Sequence, residues 1–217
     1  MSIPFPNPKM LLYIAMADAY GAGVEYLRFP RDNVIKEAAL RFESYVTHPT
    51  HDIKFAAYTD DTEMSVANAN VLLNNDPPFT PFMFADEYIK EFNRGGRRNG
   101  YARNFQQFLN SIASGKEFLI KIQPYSRRNG AAMRSVPLGV LPYIEHVKEA
   151  AAIQARVTHN TPEGILSSQA VALMSHFTLH EELPMNELGD YCVYHLHEYH
   201  DQEILEKIFT TPWPNRP

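Results

Sequence analysis

Apolar residues recur at intervals of three and four along most of this chain, and no other feature of the sequence constrains the fold more. That spacing places side chains on one face of an α-helix, whereas a half-buried strand alternates every second residue. The segments with helical spacing are 9–20, 61–73, 81–92, 104–112, 143–157, 162–180, 183–199 and 203–209. Hardly any segment alternates like a strand, so the sequence predicts an all-α fold of seven or eight helices.

The length and composition are those of one globular domain. The chain has 217 residues, of which 45% are hydrophobic and 21% charged, enough to bury a substantial core. Three of the last six residues are prolines, which stop a helix and extend the chain. We therefore expect a single domain over residues 1–210, followed at 211–217 by a proline-rich tail or by the point where a longer domain is interrupted.

Charge and cysteine content limit the partners and the compartment. The formal net charge is -5, so the overall field does not attract nucleic acid or an anionic membrane. No stretch approaches the roughly 18 apolar residues of a membrane span, and residues 1–6 have no signal-peptide pattern. Cys192 is the only cysteine, which excludes an intrachain disulfide. These features predict a cytoplasmic protein that binds neither membrane nor nucleic acid.

One short motif has the residue types of a divalent-metal site. Thr59-Asp60-Asp61-Thr62 places a hydroxyl and two carboxylates side by side, directly before a predicted helix. Such hard oxygen donors suit Mg²⁺, Mn²⁺ or Ca²⁺ and suit Zn²⁺ poorly. The alternative is a capping box, in which Asp60 is the N-cap and Glu63 closes the first turn. Capping alone does not require the threonine and the second aspartate.

Three other elements contain candidate ligand-binding residues. A helix carrying Asp18 runs into a small-residue turn that presents Glu25, although Gly21 and Gly23 also fit an ordinary helix end. Asn129-Gly130 precedes an alanine-rich segment, and a helix beginning there would offer N–H groups to an anion; a turn followed by a buried helix is the alternative. His159 directly precedes a helix that Thr161 and Pro162 are suited to begin.

In this order and at these separations, the four elements resemble the ADP-ribosylglycohydrolase family, which includes the dinitrogenase-reductase-activating glycohydrolases and the ADP-ribosyl-acceptor hydrolases. The resemblance runs from about Leu11 to about Ala172. It implies a compact, orthogonal multi-helix domain that holds two Mg²⁺, sometimes Mn²⁺. It also implies hydrolysis of the glycosidic bond between the distal ribose of ADP-ribose and an acceptor, with an ADP-ribosylated protein or a small ADP-ribose conjugate as substrate.

The resemblance also implies roles for individual residues. Thr59, Asp60 and Asp61 match metal ligands, and Glu25 matches an acid beside the metals and the scissile ribose. Catalysis would depend on Glu25, Asp60 and Asp61, with Glu25 assisting proton transfer. Gly100 and Tyr101 match a segment around the pyrophosphate and adenosine, where the tyrosine ring would stack on the base. The implied substrate-binding residues are Gly100, Tyr101, Asn129, Gly130, Met133 and His159.

The chain departs from the family pattern in its second half. Family members supply further metal ligands from a late Asp-x-Asp-Thr segment, and this sequence contains no such string. The expectation is therefore a truncated member with weak metal binding and low or absent hydrolase activity. A non-catalytic ADP-ribose-binding module and an inactive fragment are the alternatives. His195, His197 and His200 suggest a zinc site, but their spacing does not place all three on one helix face.

Overall fold

The computed structural model describes residues 9–25, 37, 41, 44–48, 51–198 and 200–209. Within these residues the secondary structure is helical, with one isolated β-bridge between Tyr125 and His159. The α-helices are α1 (Met10–Ala22), α2 (Asp60–Asn74), α3 (Pro81–Arg94), α4 (Arg103–Asn110), α5 (Gly115–Lys121), α6 (Ile144–Thr158), α7 (Pro162–His180), α8 (Leu188–Leu196) and α9 (Gln202–Phe209). The prediction of an all-α domain is confirmed.

Most predicted helices lie within two residues of their observed ends. The range of α7 agrees at both ends, because the Thr161 side chain accepts a hydrogen bond from the Gly164 N–H and Pro162 occupies the first turn. The segment predicted over 183–199 is shorter than expected: a 3₁₀ turn over Met185–Glu187 precedes α8. Helix α5 was not predicted. The proline-rich segment 211–217 lies outside the described residues.

The core is arranged around two helix pairs. Helix α6 packs against α7, and α2 packs against α3, which also contacts α5. Small buried side chains let α6 and α7 approach closely, among them Ala151, Ala155 and Ala172. The 3₁₀ helix Val136–Val140 packs closely against α7. A Cβ on Gly139 would lie only 2.6 Å from the backbone nitrogen of His176. This close approach fixes the chain before α6 against α7.

A buried polar network ties the segment around Ala131 to this helix pair. The Gln154 side chain on α6 donates to the Ala131 carbonyl and to the hydroxyls of Ser135 and Ser168. Ser168 on α7 in turn donates to the Ala151 carbonyl. A fully bonded buried amide fixes the relative position of the elements that it joins, because a displacement would leave polar groups unpaired. The segment that contains Asn129 and Gly130 is held in this way.

No helix in the described part of the chain is long and apolar enough to cross a lipid bilayer.

Candidate active site

Helix α1 caps the start of α2 through one carboxylate. The Thr59 backbone N–H and hydroxyl donate to Asp18 at 2.7 Å each. The Thr62 N–H and hydroxyl donate to the same carboxylate at 3.0 and 2.6 Å. Asp18 therefore satisfies two N–H groups at the N-terminus of α2 that have no partner within the helix. Its negative charge also complements the positive end of the helix dipole.

The capping-box interpretation of the motif is wrong. The N-cap is Thr59 and not Asp60, and the Thr59 side chain makes no capping bond to its own helix. Glu63 is 1% exposed and forms an ion pair with Arg98, with Glu63 Oε2 2.8 Å from Arg98 Nε. The two groups are not aligned for a hydrogen bond. A Cβ on Gly95 would lie 2.4 Å from Glu63 Oε1. The glutamate thus anchors the loop after α3 to α2.

The two aspartates that begin α2 are half-buried and repel one another. Burial, followed by the charges of Asp61, Asp18 and Glu25, raises the pKa of Asp60 to about 8. Burial and the charges of Asp18 and Glu25 raise the pKa of Asp61 to about 6. No lysine or arginine of the described chain forms an ion pair with either one. The start of α2 is therefore a concentration of negative charge without a neutralising partner.

Glu25 lies close enough to these aspartates to act on them electrostatically and is itself accessible. Its side chain is 53% exposed, and Oε2 lies 3.7 Å from Nε2 of the buried His48. Burial and the neighbouring His51 lower the pKa of His48, while Glu25 opposes the shift. Glu25 therefore lies near the aspartates, next to a histidine that the sequence did not indicate, and its catalytic role stays a prediction.

Gly100 lies directly on the metal-site motif. A Cβ at this position would lie 3.1 Å from Thr59 Cβ, and the φ angle of +140° is one that other residues rarely adopt. Tyr101, however, is 4% exposed, and its ring packs edge-on against Phe92 with centroids 5.4 Å apart. The ring is therefore buried within the aromatic core, which contradicts the interpretation that it stacks on a base. Whether Tyr101 contacts substrate in another way stays a prediction.

The segment at Asn129-Gly130 is not the start of an α-helix. Asn129–Ala131 forms a single 3₁₀ turn, and a second 3₁₀ helix follows after Ser135. One turn accumulates little of the dipole that an α-helix would direct at an anion, so the predicted helix N-terminus is absent. Asn129 is exposed, and Met133 is half-buried against the core. Their assignment to the substrate site stays a prediction.

Gly130 and His159 are in contact. A Cβ on Gly130 would lie 2.8 Å from Cε1 and 3.0 Å from Nε2 of the imidazole, so only glycine leaves room for the ring. His159 is 7% exposed, and its Nδ1 lies 2.6 Å from the Thr158 hydroxyl. Burial and the positive charge of Arg134 lower the pKa of His159 to about 4. The imidazole is therefore neutral at physiological pH.

Arg134 is a buried arginine that holds the segment after Gly130 against α6. Its side chain is 1% exposed and donates to Gln154 and Thr158 on α6, while its guanidinium lies 4.6 Å from the centre of the Tyr88 ring. No carboxylate of the described chain pairs with it; Asp60 acts on it at longer range. The sequence motifs contain Asp18 and Arg134, but their roles were missed. The only sequence signal for these two roles is that each charged residue lies within an otherwise apolar segment.

The oxygen atoms at the start of α2 are of the chemical type that binds a hard divalent cation. Because the Thr59 hydroxyl directs its hydrogen at Asp18, its lone pairs remain available as ligands. Asp60 and Asp61 add carboxylate oxygens, which Mg²⁺ prefers. Within the part of the chain that the structure describes, no three His, Cys, Asp or Glu side chains converge on one metal position. These residues would therefore hold a cation only with water or further ligands completing its coordination.

Other histidines and concavities lie apart from this site. His200 Nε2 lies 3.2 Å from Gln169 Oε1, and the exposed His197 bonds the Tyr194 carbonyl through Nδ1. One concavity is lined in part by Lys148, Gln169 and His200, and another by Met174, Met185 and Phe209. Neither borders Thr59 or His159.

Comparison with known proteins gives one positive result. The family model described as ADP-ribosylglycohydrolase matches residues 9–211, a range that includes Asp18, the motif at Thr59 and His159. A search of curated proteins gives no match. Because the family model spans more than half of the chain, this protein belongs to the ADP-ribosylglycohydrolase family.

Proposed function

We propose that this protein is a Mg²⁺-dependent hydrolase that cleaves the glycosidic bond of ADP-ribose conjugates. Membership of the family supports a hydrolase of this general type. The observation that carries the finer proposal is the start of α2, where Asp60 and Asp61 lie half-buried without a basic partner. Such an arrangement is costly for the protein alone, and a bound cation would offset the repulsion.

In this proposal Thr59, Asp60 and Asp61 hold Mg²⁺, with Mn²⁺ as a substitute. When bound, the cation supplies positive charge that polarises the ribose diol or the attacking water. Asp18 does not need to contact the metal, because its four hydrogen bonds hold the Thr59 hydroxyl and the first turn of α2 in place. The chain thus contributes a rigid donor set on a helix terminus, which favours precise ligand placement.

The remaining roles fall to residues around this donor set. Glu25 is accessible and close to the aspartates, which suits proton transfer to or from the reacting group. Gly100 leaves open the space next to Thr59 that a side chain would fill. The substrate would be an ADP-ribosylated protein or a small ADP-ribose conjugate. With a net charge of -5, the protein must bind the substrate diphosphate through local donors and the metal.

A non-catalytic ADP-ribose-binding module is the second candidate. The favouring observation is the small donor set, since no three acidic or histidine side chains of the described chain converge on one metal position. A site that binds Mg²⁺ weakly would still leave the glycine-lined surfaces at Gly100 and Gly130 for the ligand. The two candidates differ in two respects: the binding module needs no metal to bind ADP-ribose, and it does not release ADP-ribose from a conjugate.

The test is release of ADP-ribose from arginine- and serine-linked ADP-ribosyl peptides, with and without Mg²⁺. The hydrolase predicts Mg²⁺-dependent release that is lost in Asp60→Asn and Asp61→Asn and retained in Asp76→Asn. Asp76 is a matched control because it is exposed and follows the opposite end of α2. No release, together with an ADP-ribose-induced rise in melting temperature in EDTA, would decide for the binding module.

A further inference from the structure

The two nitrogens of the His159 imidazole lie in different surroundings. Nδ1 lies 2.6 Å from the Thr158 hydroxyl. Nε2 has no hydrogen-bond partner among the described residues, and it is not among the buried polar atoms that lack one. It therefore reaches solvent, on the side of the ring that contacts Gly130. Which nitrogen carries the proton decides whether the ring offers a donor or an acceptor there.

The hydrogen bonds of Arg134 constrain the Thr158 hydroxyl. Arg134 Nη2 has two hydrogens, and it donates to the Gln154 carbonyl at 3.1 Å and to Thr158 Oγ1 at 2.7 Å. A guanidinium has no lone pair to accept with, so Thr158 Oγ1 must be the acceptor in this bond. Arg134 and His159 are the hydrogen-bonding neighbours of this hydroxyl within the described chain. Its single hydrogen is therefore directed at His159 Nδ1.

We propose that Arg134 and Thr158 are positioning residues that hold His159 as the neutral tautomer protonated on Nε2, so that the site receives a hydrogen-bond donor beside Gly130. In the opposite tautomer, Nδ1 would carry a hydrogen and could not accept, so the Thr158 hydrogen would lose its partner among the described residues. Leaving a buried polar group unpaired is unfavourable, because the loss of its hydrogen bond to water is then not compensated. In the imidazolium Nδ1 is also protonated, so the Thr158 hydrogen would lose its partner in the same way.

Two further features support this assignment. Two glycines pack against His159: a Cβ on Gly130 would lie 2.8 Å from ring atom Cε1, and one on Gly164 would lie 2.7 Å from His159 Cβ. The residue therefore has little freedom to move away from Thr158. Burial and the charge of Arg134 also lower the pKa of His159, which disfavours the doubly protonated ring.

The consequence concerns the chemistry open to His159. A neutral imidazole with Nδ1 occupied and Nε2 protonated can donate to an oxygen of a ligand, but it has no free lone pair with which to act as a base. That the acceptor is an oxygen of ADP-ribose rests on the proposed function. The tautomer itself does not, because it is a property of the protein without substrate.

The test is ¹⁵N NMR of histidine-labelled protein without ligand near pH 7, comparing wild type, Thr158→Val and Thr158→Ser. The His159 resonances are assigned by their loss in His159→Gln. We expect Nε2 to be protonated and Nδ1 unprotonated in the wild type, a change towards the other tautomer in Thr158→Val, and the wild-type pattern in Thr158→Ser. Melting temperatures establish that each variant is folded.

A wild-type His159 protonated on Nδ1 would overturn the proposal, and this result needs no variant to fold. So would an unchanged tautomer in a folded Thr158→Val protein, because Thr158 would then not set the proton position. If the protein hydrolyses ADP-ribosyl peptides, Thr158→Val should lower kcat/KM at least about tenfold, and Thr158→Ser should restore most of it. Absence of hydrolysis would contradict the proposed function and leave the NMR result to decide the tautomer.

Discussion

The two groups of site residues differ in how completely their polar atoms are satisfied. The first, which we call the acidic group, comprises Asp18, Glu25, Asp60 and Asp61. Burial and the neighbouring negative charges raise the pKa of Asp60 and Asp61, and no basic side chain of the described chain pairs with these two. The second, the histidine group, comprises Arg134, Gln154, Thr158 and His159, and its buried hydrogen-bonding atoms are paired.

This difference indicates that the two aspartates of α2 need a bound cation to offset their repulsion, whereas the histidine group is stable without a ligand. A satisfied buried network stabilises its fold and resists change, whereas like charges crowded together destabilise the protein until a counter-ion arrives. Substitutions should therefore have opposite consequences in the histidine group and at the two unpaired aspartates of α2. Removing a polar partner from the histidine group should destabilise the protein, and removing a charge from Asp60 should stabilise it.

The largest effect is expected at the centre of the histidine group. Arg134→Met should lower the free energy of unfolding by about 3–5 kcal/mol, because it removes three buried hydrogen bonds to Gln154 and Thr158 and leaves the Thr158 oxygen without a donor. Urea denaturation measures the change. Arg128→Met is the control, since Arg128 lies in the same segment and is exposed. A loss below about 1 kcal/mol would mean that the network is not the stabilising element argued here.

A smaller loss is expected at Asp18, the one member of the acidic group whose carboxylate is fully hydrogen-bonded. Asp18→Asn replaces an acceptor oxygen with an amide nitrogen that cannot accept from Thr59 or Thr62. We expect the free energy of unfolding to fall by about 2–3 kcal/mol. The control is Asp86→Asn, a half-buried aspartate on α3. Equal effects of the two changes would remove the assigned capping role.

The histidine group should also give the protein a pH dependence. The pKa of His159 is about 4 in the folded protein and about 6.5 in the unfolded chain. Between pH 6.5 and pH 4, His159 binds a proton in the unfolded state but not in the folded state. The protein therefore loses stability as the pH falls through this window. We expect His159 to account for about 1–3 kcal/mol of that loss. Urea midpoints of wild type and His159→Gln should diverge most above pH 6.5 and converge towards pH 4; parallel curves would contradict the burial argument.

The smallest effect has the opposite sign. Asp60→Asn removes a half-buried charge that Asp61, Asp18 and Glu25 repel. In EDTA well above pH 8, where the carboxyl group is mostly ionised, it should raise the free energy of unfolding by about 1 kcal/mol. Asp76→Asn, at an exposed position, should change it by less than about 0.5 kcal/mol. Destabilisation by Asp60→Asn would show that this carboxylate has a stabilising partner.

Local signals made much of the fold predictable. Helix α7 follows from Thr161, Pro162 and the apolar spacing that continues to His180. Helix α5 has a comparable signal that was overlooked: Ser114 accepts from the Glu117 N–H, and Glu117 accepts from the Ala113 N–H. The turn at Asn129 was wrongly predicted, because the alanines after it favour a helix whereas contacts with α6 and α7 impose 3₁₀ geometry.

The site was predictable only where its residues are adjacent in sequence. Thr59, Asp60 and Asp61 form one motif, and the structure places Glu25 and Gly100 near it. The role of Asp18 depends on a partner 41 residues away, and that of Arg134 on partners 20 and 24 residues away. An arginine is normally placed on the surface in a sequence-based prediction, so its burial could be seen only in three dimensions.

The central claim is that the unpaired carboxylates of α2 form a metal site, and calorimetric titration with Mg²⁺ tests it most directly. The account predicts saturable binding to the wild type and at least about tenfold weaker binding to Asp60→Asn, with Asp76→Asn binding like the wild type. Equal binding by wild type and Asp60→Asn, or no binding by the wild type, would contradict it.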